Sequence, residues 1–146
     1  MIEGETTSMY LSDGISEKRD ELEGMKDLEL SEGRWVDVCR LERLTPGTGA
    51  AALIDGEQIA VVRARNGRDV YALSNFDPFS KAFVIARGIV GDRDGIPKIA
   101  SPIFKQNFDL RTGECLDDPS VRLPVYPTRV LDGRIEILVP ARRRDS

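Results

Sequence analysis

Asn75-Phe76-Asp77-Pro78-Phe79, and its echo Ser101-Pro102-Ile103-Phe104, are two proline-bearing loops, each placed after a strand-like run and separated from the other by hairpin sequence. Val70-Tyr71-Ala72-Leu73 leads into the first. Ile89 to Arg93 and Pro97 to Ala100, flanking Asp94-Gly95, form the hairpin that carries the second at its end. Outward from these loops the period is two. Val36 and Val38 alternate with Asp37 and Cys39, Pro46-Gly47-Thr48-Gly49 breaks the chain, and Ala50–Ile54, Gln58–Arg63 and Asp69–Leu73 follow as a meander divided at Asp55-Gly56 and Asn66-Gly67. Asn-Gly and Asp-Gly suit type I′ hairpin turns because both central residues there need positive φ. Asn107–Leu110 and Val121–Tyr126 are further strands, and a last hairpin, Arg129–Leu131 with Arg134–Val139, turns at Asp132-Gly133. Short strands at this spacing predict an all-β fold, an antiparallel β-sandwich or small barrel. No G-x-G-x-x-G, P-loop or helix long enough for a βαβ unit accompanies them.

Two loops so placed resemble the cluster-binding tip of a Rieske domain, whose [2Fe-2S] centre takes two thiolates on one iron and two imidazoles on the other. On that resemblance the ligand positions are Asp77, Phe79, Ser101 and Phe104, none of which supplies either group, and the chain contains no histidine at all. Asn107-Phe108-Asp109-Leu110-Arg111-Thr112-Gly113-Glu114 resembles the Phe-Asp-x-x-Thr-Gly-Glu run of the same domains. With its Asp-Pro-Phe and Ser-Pro loops, the chain from about Trp35 to Pro140 is similar to the Rieske-like small subunit of assimilatory NAD(P)H-dependent nitrite reductase. This resemblance implies a non-catalytic subunit, in nitrate assimilation, that binds no cofactor itself. Its large-subunit partner would hold the FAD, [4Fe-4S] cluster and sirohaem that carry electrons from NAD(P)H to nitrite and release ammonium. The rival readings are a cluster-free interaction module of another oxidoreductase and a true [2Fe-2S] electron carrier, the latter opposed by the missing ligands.

Length and charge divide the chain into a domain and two tails. Its 146 residues suffice for one domain with a real core. Residues 1–33 hold ten acids against three bases, a net of −7, while 34–146 hold 18 bases against 15 acids. The expected layout is an acidic, largely disordered N-terminal tail over 1–33, a β domain over 34–140 and a basic C-terminal tail over 141–146. Glu17-Lys18-Arg19-Asp20-Glu21-Leu22-Glu23, stopped at Gly24, suits a short helix across 16–25. A mildly basic body with an acidic tail lacks the concentrated basic patch of a nucleic-acid binder. No apolar run approaches the ~20 residues of a membrane helix, and no basic-then-apolar start resembles an export signal, so the expected location is cytoplasmic. Cys39 and Cys115 read as reduced, buried filler, without the Cys-x-x-Cys spacing of structural zinc.

The absence of histidine removes the commonest neutral-pH base and any Ser-His or Cys-His pair. Asp77 is open to two roles: ligand of a hard cation, or a loop cap accepting backbone N–H groups. The cap is favoured because one carboxylate beside Ser101 falls short of the oxygens such a cation needs. Phe79 and Phe104 have two outcomes open as well. They fold inward as filler, or they face outward with Phe76, Pro78, Phe83 and Pro102 as a partner patch rimmed by Lys105 and Gln106.

Overall fold

The computed structural model describes residues 2–3, 5–6 and 33–141. Strands β1 (Ile2–Glu3), β2 (Glu5–Thr6), β3 (Arg34–Arg40), β4 (Thr48–Ile54), β5 (Glu57–Arg63) and β6 (Val70–Ser74) precede the first loop. The short hairpin β7 (Phe76–Asp77) and β8 (Ala82–Phe83) lies within it, followed by a 3-10 turn at Ile85–Arg87. Then come β9 (Ile89–Arg93), β10 (Ile96–Ala100), β11 (Asn107–Asp109), β12 (Val125–Tyr126), β13 (Thr128–Leu131) and β14 (Arg134–Val139). They form a sheet β1-β4-β5-β6-β12, a sheet β13-β14-β3-β2 and a three-stranded sheet β11-β10-β9, none closed into a barrel.

Strand β5 explains the layering. Its run Ile59-Ala60-Val61-Val62 is apolar at every position rather than every second one, and all four side chains are buried. Period-two geometry sends alternate residues to opposite faces, so such a strand must be covered on both sides. Ile59 and Val61 enter one core with Val36, Val38, Ile135 and Ile137 of the β3/β14 sheet. Ala60 and Val62 enter a second core with Leu73, Ile85, Val90, Ile99 and Phe108, beneath β9-β10-β11. At about 1.5–3 kcal/mol for each large side chain taken out of water, this second core is what holds the loop-bearing sheet in place.

Asp55-Gly56, Asp94-Gly95 and Asp132-Gly133 have positive φ at both residues and close the hairpins read from the sequence. Asn66-Gly67 differs. The β5–β6 hairpin forms, but only Gly67 has positive φ, because pairing stops at Arg63↔Val70. The Asn66 side chain closes the longer loop instead, its Oδ1 accepting the N–H groups of Arg68 and Asp69. Within the strand expected over Val121–Tyr126, only Val125–Tyr126 forms a ladder, with β6, and Arg122 makes an isolated bridge with Glu114; prolines at 119, 124 and 127 lack the N–H a longer ladder requires.

The N-terminal expectation is narrowed in one respect: β1 pairs in parallel with β4, and β2 antiparallel with β3. The helix expected over 16–25 and the basic run 142–144 lie outside the described residues.

Gly113, in the Phe-Asp-x-x-Thr-Gly-Glu run, has φ +83, and a Cβ there would meet the Leu123 carbonyl oxygen at 2.0 Å. Gly113→Ala is therefore expected to cost more than about 1 kcal/mol, measured by denaturant titration, since both the backbone conformation and the space exclude a side chain.

Candidate functional site

The two loops meet through side chains at their first positions. Asp77 and Ser101 are both buried, and the Ser101 hydroxyl donates to Asp77 Oδ2 at 2.6 Å. The same carboxylate accepts the Phe79 N–H on Oδ1 at 2.9 Å and the Ser80 hydroxyl on Oδ2 at 2.9 Å. Asp77 is thus a cap, and in addition a strut between loops. Burial works to raise its pKa, but the hydrogen bonds from Ser101, the Phe79 N–H and Ser80 outweigh it and hold the carboxyl below the ordinary value. A group with depressed folded pKa contributes stability that is present above its unfolded pKa, near 3.9, and lost as pH falls through the folded value. The melting temperature should accordingly fall on acidification below about pH 4, with a smaller fall in Asp77→Asn, as differential scanning calorimetry would measure.

Asn75, immediately before, anchors the first loop to the central sheet. Its N–H donates to the Gln58 carbonyl at 3.0 Å, its Nδ2 to Gln58 Oε1 at 3.0 Å, and its Oδ1 accepts the Ala86 N–H at 2.7 Å. In the run after the second loop, Asp109 Oδ1 accepts the Arg111 N–H at 2.8 Å, and its Oδ2 takes the Arg111 guanidinium at 3.0 Å. Burial opposes ionisation of Asp109, yet the Arg111 bonds win and its pKa too is lowered.

The loops close alike. Lys81 N–H donates to the Asp77 carbonyl at 2.7 Å and Lys105 N–H to the Ser101 carbonyl at 3.0 Å, each four residues on, with φ of 60° and 62°. Left-handed backbone costs a residue bearing a Cβ about 1–2 kcal/mol. The other non-glycine residues with positive φ among those described are the aspartates of the three Asp-Gly turns.

The two phenylalanines divide between the roles left open for them. Phe79 is half-buried, packs on the second core and sits 6.3 Å from the Phe108 ring, centroid to centroid. Phe104 is 58% exposed. Also exposed are Phe83 at 54% in the first loop, Ile103 at 46% beside Phe104 in the second, and Ile89 at 64%, the last opposite Ala100 in the β9–β10 ladder, with Pro102 exposed as well. Phe83 stacks at a tilt on half-buried Phe76, 5.1 Å away, and Pro78 is half-buried. Among the described residues, four of the five exposed large apolar side chains thus lie on or beside this tip. Ile89 and Ile103 were not among the patch residues read from the sequence; the odd–even phase of β9, with Val90 inward, was the available signal for Ile89.

A Rieske cluster does not fit these residues. It needs imidazoles, of which the chain has none, and the cysteines are buried in different cores, Cys39 in the first and Cys115 in the second. Burial raises both thiol pKa values, the reverse of what a thiolate ligand requires. No group of three or more Cys, Asp or Glu suited to a metal occurs among the described residues.

The Rieske-like [2Fe-2S] domain family matches residues 34–138. The nitrite reductase (NADH) small subunit of Salmonella typhimurium is 38% identical over 104 residues, covering 71% of this chain and 96% of the relative. A crystal structure of a candidate NADH-dependent nitrite reductase small subunit from Mycobacterium tuberculosis superposes with a TM-score of 0.71 at 48% identity, covering 75% of this chain and 98% of that one. A stretch of the Klebsiella oxytoca nitrite reductase [NAD(P)H] large subunit is 36% identical over 101 residues, which is 69% of this chain but 10% of that protein. The chain belongs to the Rieske-like domain family and, within it, to the nitrite reductase small subunits.

Proposed function

We propose that this chain is a cluster-free, non-catalytic subunit of an NAD(P)H-dependent nitrite reductase, acting in the cytoplasm in nitrate assimilation. The observation that carries the reading is the junction of the two loops. A carboxylate–hydroxyl bond, Asp77 to Ser101, links them where a redox centre would require thiolate and imidazole ligands. The FAD, [4Fe-4S] cluster, sirohaem and nicotinamide site then belong to the large subunit, since cofactors carry the hard chemistry of such a reduction. The β domain over 34–140 docks there by its tip, through Phe76, Pro78, Phe79, Phe83, Pro102, Phe104 and Lys105, with Ile89 and Ile103 added. The Klebsiella large subunit, which carries a stretch resembling this chain within its own polypeptide, supports that partnership.

The test is reconstitution with the cognate large subunit. The purified chain should contain no stoichiometric iron and should not oxidise NADH in response to nitrite, whereas adding it should raise the nitrite-dependent activity of the large subunit. About two irons per chain with a charge-transfer absorption would overturn the cluster-free reading. An activity indifferent to the chain would overturn the subunit role.

A further inference from the structure

Lys81 and Lys105 are equivalent residues in the two loops. Each closes a four-residue return onto the loop's first carbonyl, Asp77 in one and Ser101 in the other. The side chains of those two first residues are hydrogen-bonded to each other, so the lysines flank one junction. Both are exposed, and with exposed Arg87 they are cations without an ion pair among the described residues. Asp92 and Asp94 of the neighbouring hairpin sit toward its opposite end, because Ile89 lies beside Ala100 at the tip and Arg93 beside Ile96 away from it. Each lysine also occupies left-handed backbone that glycine would adopt without strain. The four-residue returns set positive φ at Lys81 and Lys105, as hairpin geometry does at the aspartates of the Asp-Gly turns, yet in both loops the position is filled by lysine and not by glycine. Strained non-glycine backbone, repeated at two matched positions beside an exposed apolar surface, points to use of the side chain.

Resting on the docking reading above, we propose that Lys81 and Lys105 are a matched pair of anchors that seat the apolar tip on a carboxylate-bearing surface of the large subunit. Apolar contact at Phe83, Ile89, Ile103 and Phe104 supplies burial, and the two ammonium groups fix register and accelerate encounter.

The experiment titrates the full chain into its cognate large subunit, at low and high salt, with the melting temperature of each variant alongside. Lys81→Gly/Lys105→Gly removes both charges and relieves both strained residues. It should weaken binding at least tenfold at low salt and flatten the salt dependence, with the melting temperature unchanged or raised. Lys81→Arg/Lys105→Arg keeps the charge and should bind nearly as the parent does. A glycine variant binding within threefold of the parent would overturn the anchors, as would a lowered melting temperature, which would make the lysines structural. Phe83→Ala/Phe104→Ala separates the two levels. If it loses binding while the glycine variant does not, the docking reading stands and the anchors fall; if neither loses binding, the tip is not the interface.

Discussion

Asp77→Ala is expected to lower the unfolding free energy by about 2–4 kcal/mol, because it removes the acceptor shared by three donors and leaves a buried hydroxyl, Ser101, without its partner. The asymmetry of hydrogen-bond energetics decides the size. A bond contributes about 1 kcal/mol net, but an orphaned buried donor costs about 1–3 kcal/mol, and the Phe79 N–H and Ser80 hydroxyl lose part of their pairing too. Asp77→Asn retains an acceptor and should lose less. The double variant Asp77→Ala/Ser101→Ala should cost less than the two single losses together, since the second substitution removes the group that the first orphans. Urea denaturation of the four proteins measures this coupling. Strict additivity would show that the loops are held by packing alone and that the strut contributes nothing of its own.

Phe108→Ala is expected to cost about 3–5 kcal/mol, the largest stability effect of any aromatic truncation near the tip, because its ring is wholly buried in the second core and its loss opens a cavity there. Phe104→Ala, only four residues earlier, should change stability by less than about 0.5 kcal/mol, because its ring is mostly in water. It should instead weaken binding to the large subunit by about 1 kcal/mol or more, as an apolar side chain at the centre of a contact does. Chemical denaturation and a binding titration on the same pair of variants separate the roles. A Phe104→Ala variant that is destabilised but binds normally would make Phe104 a core residue and move the interface elsewhere on the sandwich.

How the two loops relate to the strands was legible in the residues themselves, since Asp-Gly pairs and period-two alternation are local signals and local geometry enforces them. The same is true of Asp77 as a cap: an Asp-Pro step places a short carboxylate within reach of the N–H two residues on, whatever the rest of the chain does. The misfit of a Rieske cluster was equally plain, because a chain without histidine cannot supply imidazole in any conformation. Other features depended on contacts between segments far apart in sequence. That the Asp77 carboxylate also reaches Ser101 follows from the second core, which brings β10 against β5 and β6 and so sets one loop on the other. The different fates of Phe79 and Phe104 have the same origin. Both follow a proline-bearing turn, and their local sequences are alike, but the first loop places Phe79 beside Phe108 and gives its ring a partner, whereas the second leaves Phe104 exposed. Period and turn chemistry thus set most of the strands and the three Asp-Gly hairpins by themselves, while which ring meets protein and which meets solvent was decided by packing between sheets, because burial belongs to the surface that closes over a residue and not to the residue.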